Sequence, residues 1–152
     1  MAYEFIHSRQ VEFHETDLAG IVHFSNFFRY MEAAEHAFFR SLGLSIHQRY
    51  GGKTIGWPRI RAECTYYNPL KLEDLVETHL WVTEIGSRKI SYGFVLRRVN
   101  VDPPVEAAKG SFTNICVAFD DRDGTMESVP IPDEILEKIE VAPGGKTKGV
   151  RT

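Results

Sequence analysis

The residues best suited to chemistry lie in one stretch, Phe13-His14-Glu15-Thr16-Asp17-Leu18-Ala19-Gly20-Ile21-Val22-His23-Phe24-Ser25-Asn26-Phe27. It puts a carboxylate, Asp17, just upstream of the longest helical pattern in the chain. A helix start gathers unpaired backbone N–H groups and a partial positive charge. An anionic or oxyanion-bearing ligand would be held there, with Asp17 close enough to act on it. The competing reading is an aspartate that only caps a turn. Metal chemistry has no convincing ligand set: His14 and His23 stand on either side of the turn, the other histidines are scattered, and no two-histidine helical zinc motif occurs. Nor is there a glycine-rich phosphate loop or a serine nucleophile elbow. Asp120-Asp121-Arg122-Asp123-Gly124 fails as a calcium loop, because Phe119 and Pro130 occupy the first and closing ligand positions.

The flanking elements can be read from periodicity. Residues 3–13 alternate, with Tyr3, Phe5, Val11 and Phe13 on one parity and Glu4, Ser8, Gln10 and Glu12 on the other, which predicts a half-buried strand. Gly20 supplies the turn. From an N-cap at Ser25, Phe27, Met31, Ala34, Phe38 and Leu42 recur at helical spacing until Gly43 stops the pattern. Arg29, Glu32, Glu35, His36 and Arg40 fill much of the remaining surface, while Phe28, Tyr30 and Phe39 widen the apolar side. A helix this apolar is covered on more than one side. Ser45 to Tyr50, closed by Gly51-Gly52, suggests one short helical turn. Four strand-like segments follow at 55–67, 74–85, 88–101 and 105–119, joined by turn residues, which implies an antiparallel meander. Pro58 suits a strand end or a sheet edge. A short helix runs from Pro132 or Asp133 to about Glu140. One long helix against one sheet is an α+β arrangement.

The bulk properties narrow the class. A chain of 152 residues with 43% hydrophobic content is long enough to bury a core and is read as one domain, 1–141, with a disordered tail, 142–152. The net charge of −3 argues against a dedicated nucleic-acid binder. No signal peptide or apolar run of about 20 residues is visible, so the expectation is a cytoplasmic protein without membrane segments. Cys64 and Cys116 fall inside strand-like segments and read as buried reduced thiols.

The stretch Thr16-Asp17-Leu18-Ala19-Gly20-Ile21-Val22, followed by Asn26 and a helix carrying Glu32, resembles the hotdog-fold acyl-CoA thioesterases, and most closely their 4-hydroxybenzoyl-CoA thioesterase group. Pro58-Arg59-Ile60, Tyr66-Tyr67-Asn68-Pro69-Leu70, Glu73-Asp74 and Ile85-Gly86-Ser87-Arg88-Lys89 follow in the family's order, so the resemblance covers roughly residues 5–140. It implies a hotdog fold, a five-stranded antiparallel sheet wrapped around one long helix. Subunits would pair their sheets into a homodimer or homotetramer with active sites at the interface. The implied activity is hydrolysis of an acyl-CoA thioester without a cofactor.

On that resemblance Asp17 attacks the thioester carbonyl or acts as general base on a water. The backbone N–H of Phe24 is the implied oxyanion donor, in a position where relatives carry Tyr or His, and His23 is a second candidate beside it. Glu32 would accept a hydrogen bond from a polar acyl substituent, or else is a solvated helix residue. Arg88, Lys89 and Ser91 suit the phosphates of coenzyme A, or else form a solvated turn. Arg97-Arg98 and Lys146, Lys148 and Arg151 are weaker phosphate candidates, and Arg59 and Arg61 are expected to share a strand face from which one could reach ligand. Two rivals are an enoyl-CoA hydratase of the same fold, which needs a histidine poised opposite Asp17, and a non-enzymatic acyl-CoA-binding regulator, which would normally bring a further domain. Acyl carrier protein could also replace coenzyme A.

Overall fold

The apolar period after the turn becomes helix α1, Phe24–Ser41, in a computed structural model that describes residues 1–50 and 52–144. The helix starts two residues earlier than its polar residues suggest. His23, not Ser25, is the N-cap, and its ring Nδ1 accepts the Ser25 N–H at 3.3 Å. Gly43, at φ +73°, ends it as expected, with Leu44 N–H donating to the Phe39 carbonyl at 3.0 Å.

The strands are β1 (Glu4–Gln10), β2 (Gln48–Tyr50), β3 (Lys53–Gly56), β4 (Arg59–Tyr66), β5 (Leu75–Ile85), β6 (Lys89–Arg98), β7 (Val105–Ile115), β8 (Val117–Phe119) and β9 (Met126–Ser128). A short helix α2, Asp133–Leu136, follows. Five strands make the main antiparallel sheet in the order β1-β5-β6-β7-β4, and β2-β3-β8-β9 make a smaller one. α1 lies on one face of the main sheet. Phe27, Tyr30, Met31, Ala34, Phe38 and Phe39 are buried from the helix side, and Leu80, Val82, Tyr92, Phe94, Leu96 and Phe112 from the sheet side. Fully burying each such large side chain stabilises the fold by roughly 1.5–3 kcal/mol. This is the hotdog arrangement that the resemblance implies.

Several local expectations are corrected. The predicted strand 55–67 breaks at Trp57-Pro58 into β3 and β4, which enter different sheets. The predicted strand 105–119 likewise divides between β7 and β8 at Cys116. The connection is not a simple four-strand meander, because β4 pairs with β7 and β1 takes the free side of β5. Residues 48–50 form β2 instead of a helical turn, and α2 is shorter than expected. Phe13 leaves the strand pattern for a single 3-10 turn, Phe13–Glu15, and is exposed. Arg59 and Arg61 do not share a face: a register shift between them turns Arg59 toward α1 and Arg61 toward Glu63. Ala142, assigned to the tail, donates its N–H to the Val82 carbonyl at 2.9 Å. Gly51, Lys146, Lys148 and Arg151 lie outside the described residues.

Cys64 and Cys116 carry free thiols, the first half-buried and the second buried, and burial pushes each up to about 11. Among the described residues no helix is long and apolar enough to cross a membrane.

Candidate active site

The loop that carries Asp17 is a closed hairpin. Asp17 N–H donates to the Ile21 carbonyl at 2.9 Å, Gly20 N–H donates to the Asp17 carbonyl at 3.0 Å, and Thr16 pairs with Val22. Gly20 sits at φ +78°, a conformation that a side chain would strain. The Asp17 carboxylate takes the Ala19 N–H on Oδ1 at 2.8 Å. This is the local turn contact that the structural reading of an aspartate here expects, and it engages only one of the two carboxylate oxygens.

A second loop fixes the hairpin from outside. Val22 N–H donates to the Leu70 carbonyl at 2.8 Å, and Ile21 pairs with Lys71. Between these loops and the first turn of α1 lies a cleft of about 520 Å³ lined by Asp17, Ile21, Val22, Phe24, Phe27 and residues 66–69. It therefore joins Asp17 to the helix start, where Phe24 occupies the first position and its N–H has no preceding helical carbonyl to face. Tyr66 closes one wall. Its hydroxyl donates to the Phe24 carbonyl at 2.9 Å, and its ring meets Phe27 edge-on at 4.9 Å between centroids. Burial is the main reason its phenol is held well above its ordinary value.

The other sequence candidates are distributed around this cleft. His23 caps α1, and its Nδ1 lies 2.7 Å from Ser25 Oγ. His14 Nδ1 lies 3.4 Å from Glu12. Both rings border a second opening, of about 720 Å³, which Asp17, Ser25 and Asn26 also line; neither histidine lines the cleft beside Phe24. Glu32 is exposed on α1, two turns beyond Phe24, and pairs with Arg59 at 3.0 Å. Together with Phe28, Arg29, Ala62 and Phe112 they line a smaller groove of about 240 Å³ between α1 and β4. The Arg59 guanidinium lies 3.9 Å above the Phe112 ring centre. Arg88 and Lys89 are exposed at the start of β6, where Arg88 donates to the Ser128 carbonyl at 2.5 Å. Ser91 Oγ lies 3.0 Å from Thr113 Oγ1. None of these three lines the Asp17 cleft.

Spacing alone singled out neither the tyrosine wall nor the groove around Arg59. Tyr66-Tyr67-Asn68-Pro69 carried a signal only as a strand end and turn, and nothing local links that turn to Asp17.

Comparison with known proteins agrees with this architecture. Residues 11–139 match the model of the Thioesterase-like superfamily. A protein of Aquifex aeolicus, assigned provisionally by its name to the esterases, is 32% identical over 135 residues, covering 89% of this chain and 97% of its own. A 1,4-dihydroxy-2-naphthoyl-CoA hydrolase of Nostoc punctiforme is 24% identical over 138 residues, covering 90% of this chain and 86% of its own. The solved structure of 4-hydroxybenzoyl-CoA thioesterase from Pseudomonas sp. strain CBS-3 superposes with a TM-score of 0.76 at 17% identity, covering 90% of this chain and 99% of that one. With its helix, its sheet and the extent of the family match in agreement, the chain belongs to the Thioesterase-like superfamily of hotdog proteins.

Proposed function

We propose that the protein is an acyl-CoA thioesterase in which Asp17 carries the chemistry and the Phe24 N–H polarises the thioester carbonyl. The observation that carries this reading is the cleft in which the Asp17 carboxylate, engaged on one oxygen only among the described residues, shares space with Phe24, the first residue of a long helix. Water adds its oxygen to the acyl carbon, the C–S bond breaks, and the sulfur leaves with a proton as the free thiol of coenzyme A. Asp17 serves either by removing the proton from that water or by attacking first to form an anhydride that water then opens. In both routes negative charge develops on the carbonyl oxygen, where a pre-aligned N–H lowers the barrier by about 3 kcal/mol.

The relatives named for hydroxylated aromatic acyl-CoAs, and the Glu32–Arg59 pair beside Phe28 and Phe112, support an acyl group of that class. Glu32 accepts a hydrogen bond from the acyl substituent, while Arg88, Lys89 and Ser91 hold coenzyme A phosphates. His23 contributes by capping the helix whose start forms the oxyanion site. Residues 1–141 act as one hotdog unit in a cytoplasmic homodimer formed through β4. Among the described residues that strand has an unpaired side; it exposes Ile60 and Tyr66, and its end lines the Asp17 cleft.

Purified protein should release free thiol from a panel of acyl-CoAs that begins with hydroxybenzoyl and dihydroxynaphthoyl thioesters. Asp17→Ala and Asp17→Asn should lower kcat at least about 100-fold on the best substrate, with coenzyme A binding retained. Wild-type turnover in either variant would overturn the assignment.

A further inference from the structure

We propose that Glu15 is a positioning residue that aims Asp17, an inference that rests on the catalytic assignment above. Glu15 stands two residues before Asp17 and is 4% exposed. Its carboxylate is fully engaged. Oε2 accepts from Arg9 Nη2 at 2.6 Å, and Oε1 accepts from the Glu12 N–H at 2.8 Å and from the Tyr30 hydroxyl at 3.0 Å. The Arg9 guanidinium lies 4.5 Å over the Tyr30 ring, so cation, carboxylate and phenol hold one another. Its backbone carbonyl is engaged as well, accepting the His23 N–H at 2.9 Å and Asn26 Nδ2 at 2.8 Å.

One residue thus ties together β1 through Arg9, the buried face of α1 through Tyr30, and the entry to α1 through His23 and Asn26. The Asp17 hairpin begins at Thr16 and ends at Val22, immediately inside those anchors. Because the hairpin is closed by its own hydrogen bonds, it moves as a unit, and Glu15 sets its angle to the first turn of α1. A buried carboxylate is costly to desolvate, and charge-assisted hydrogen bonds of this number are what make it tolerable. Catalysis is sensitive to such aim, since a displacement of about 1 Å can cost about 100-fold in rate.

The test is steady-state kinetics on the full chain with the best acyl-CoA of the panel. Glu15→Gln keeps the shape but turns an amide NH₂ or an uncharged oxygen toward Arg9, loosening that side of the anchor. Its kcat should fall at least about 10-fold with KM within about twofold, while the circular dichroism spectrum stays that of the wild type. Tyr30→Phe, which removes one hydroxyl and keeps the ring, should lower kcat about threefold in the same pattern. Since the loss acts through Asp17, adding Glu15→Gln to Asp17→Asn should change the residual rate by less than about twofold. Wild-type kcat in a folded Glu15→Gln variant overturns the inference, as does a Glu15→Gln loss of equal size with and without Asp17. If Glu15→Gln does not fold, wild-type kcat in both Tyr30→Phe and Asn26→Ala overturns it. Turnover that survives Asp17→Ala removes the catalytic assignment itself. Loss of turnover in Asp17→Ala with intact Glu15→Gln removes only the role of Glu15.

Discussion

Glu35 is a fully buried carboxylate on α1. Its Oε2 accepts from Asn114 Nδ2 at 2.5 Å and from Arg59 Nη1 at 3.1 Å. Its Oε1 is 3.0 Å from the same Arg59 nitrogen without hydrogen-bond geometry. Desolvation raises the carboxyl above its ordinary value, and Arg59 and Asn114 only partly oppose that. The folded protein therefore holds this proton more tightly than the unfolded chain does. Folding stability contributed by Glu35 is present below the ordinary glutamate range and declines as pH rises through the raised value. Urea unfolding across that range should show this decline in the wild type and a flatter profile in Glu35→Gln; identical slopes would refute the attribution. Glu35→Ala should cost about 3 kcal/mol, the low end for breaking a buried pair, because Arg59 keeps Glu32. The sequence allowed Asp17 to be singled out because turn chemistry and a helix start are local signals. Glu35 looked like part of a polar helix flank, and Glu15 like one acid among several. Whether a glutamate is solvated or buried depends on what packs opposite, and here that is Arg59 and Asn114 from distant strands in one case, Arg9 and Tyr30 in the other.

At the scale of elements, the closeness of α1 to the sheet depends on Gly110 in β7. A Cβ there would collide with Met31 Cε and lie 2.7 Å from the Glu63 carbonyl oxygen and 2.9 Å from Met31 Sδ. Gly110→Ala should therefore destabilise the protein by about 1–3 kcal/mol. For a chain of this size that is a fall in Tm of at least about 2–4 °C by calorimetry. An unchanged Tm would mean that helix and sheet can separate without cost. α1 was legible because its apolar period is long and ends in a glycine. β2, β3, β8 and β9 were not, because each is three or four residues long, and the β3–β8 pairing that joins the two local pairs links segments more than 60 residues apart. The break at Trp57-Pro58 was legible in part: Pro58 marked a strand end or sheet edge, and β4 begins at Arg59 on the edge of the main sheet. But β-branched and aromatic composition runs through the break and leaves no sign that the two halves enter different sheets.

For the whole molecule, the two edges of the main sheet are not equivalent. β1 is bordered at its start by Lys138 and Glu140, which exchange backbone hydrogen bonds with Ala2. β4 pairs on one side with β7, and its exposed Ile60 and Tyr66, with Tyr67 just beyond its end, leave it the better site for a second copy. Sedimentation should give a particle of twice 17.3 kDa, and Ile60→Lys should shift it toward one protomer. A wild-type protein of one protomer's mass with full turnover would exclude the dimer. The α+β class could be read from element order, whereas the crossing of β4 to β7 could not, since pairing partners leave no mark in local periodicity.

The hydrogen bond from Tyr66 to the Phe24 carbonyl spans two of these scales. The strand proposed to meet a second protomer is fastened to the peptide beside the proposed oxyanion donor. In the proposed dimer, association and turnover would then be linked, and dilution would act as a form of inhibition. Turnover per protomer should rise with total protein concentration and level off once pairing is complete. In Tyr66→Phe the two curves, mass against concentration and rate against concentration, should no longer coincide.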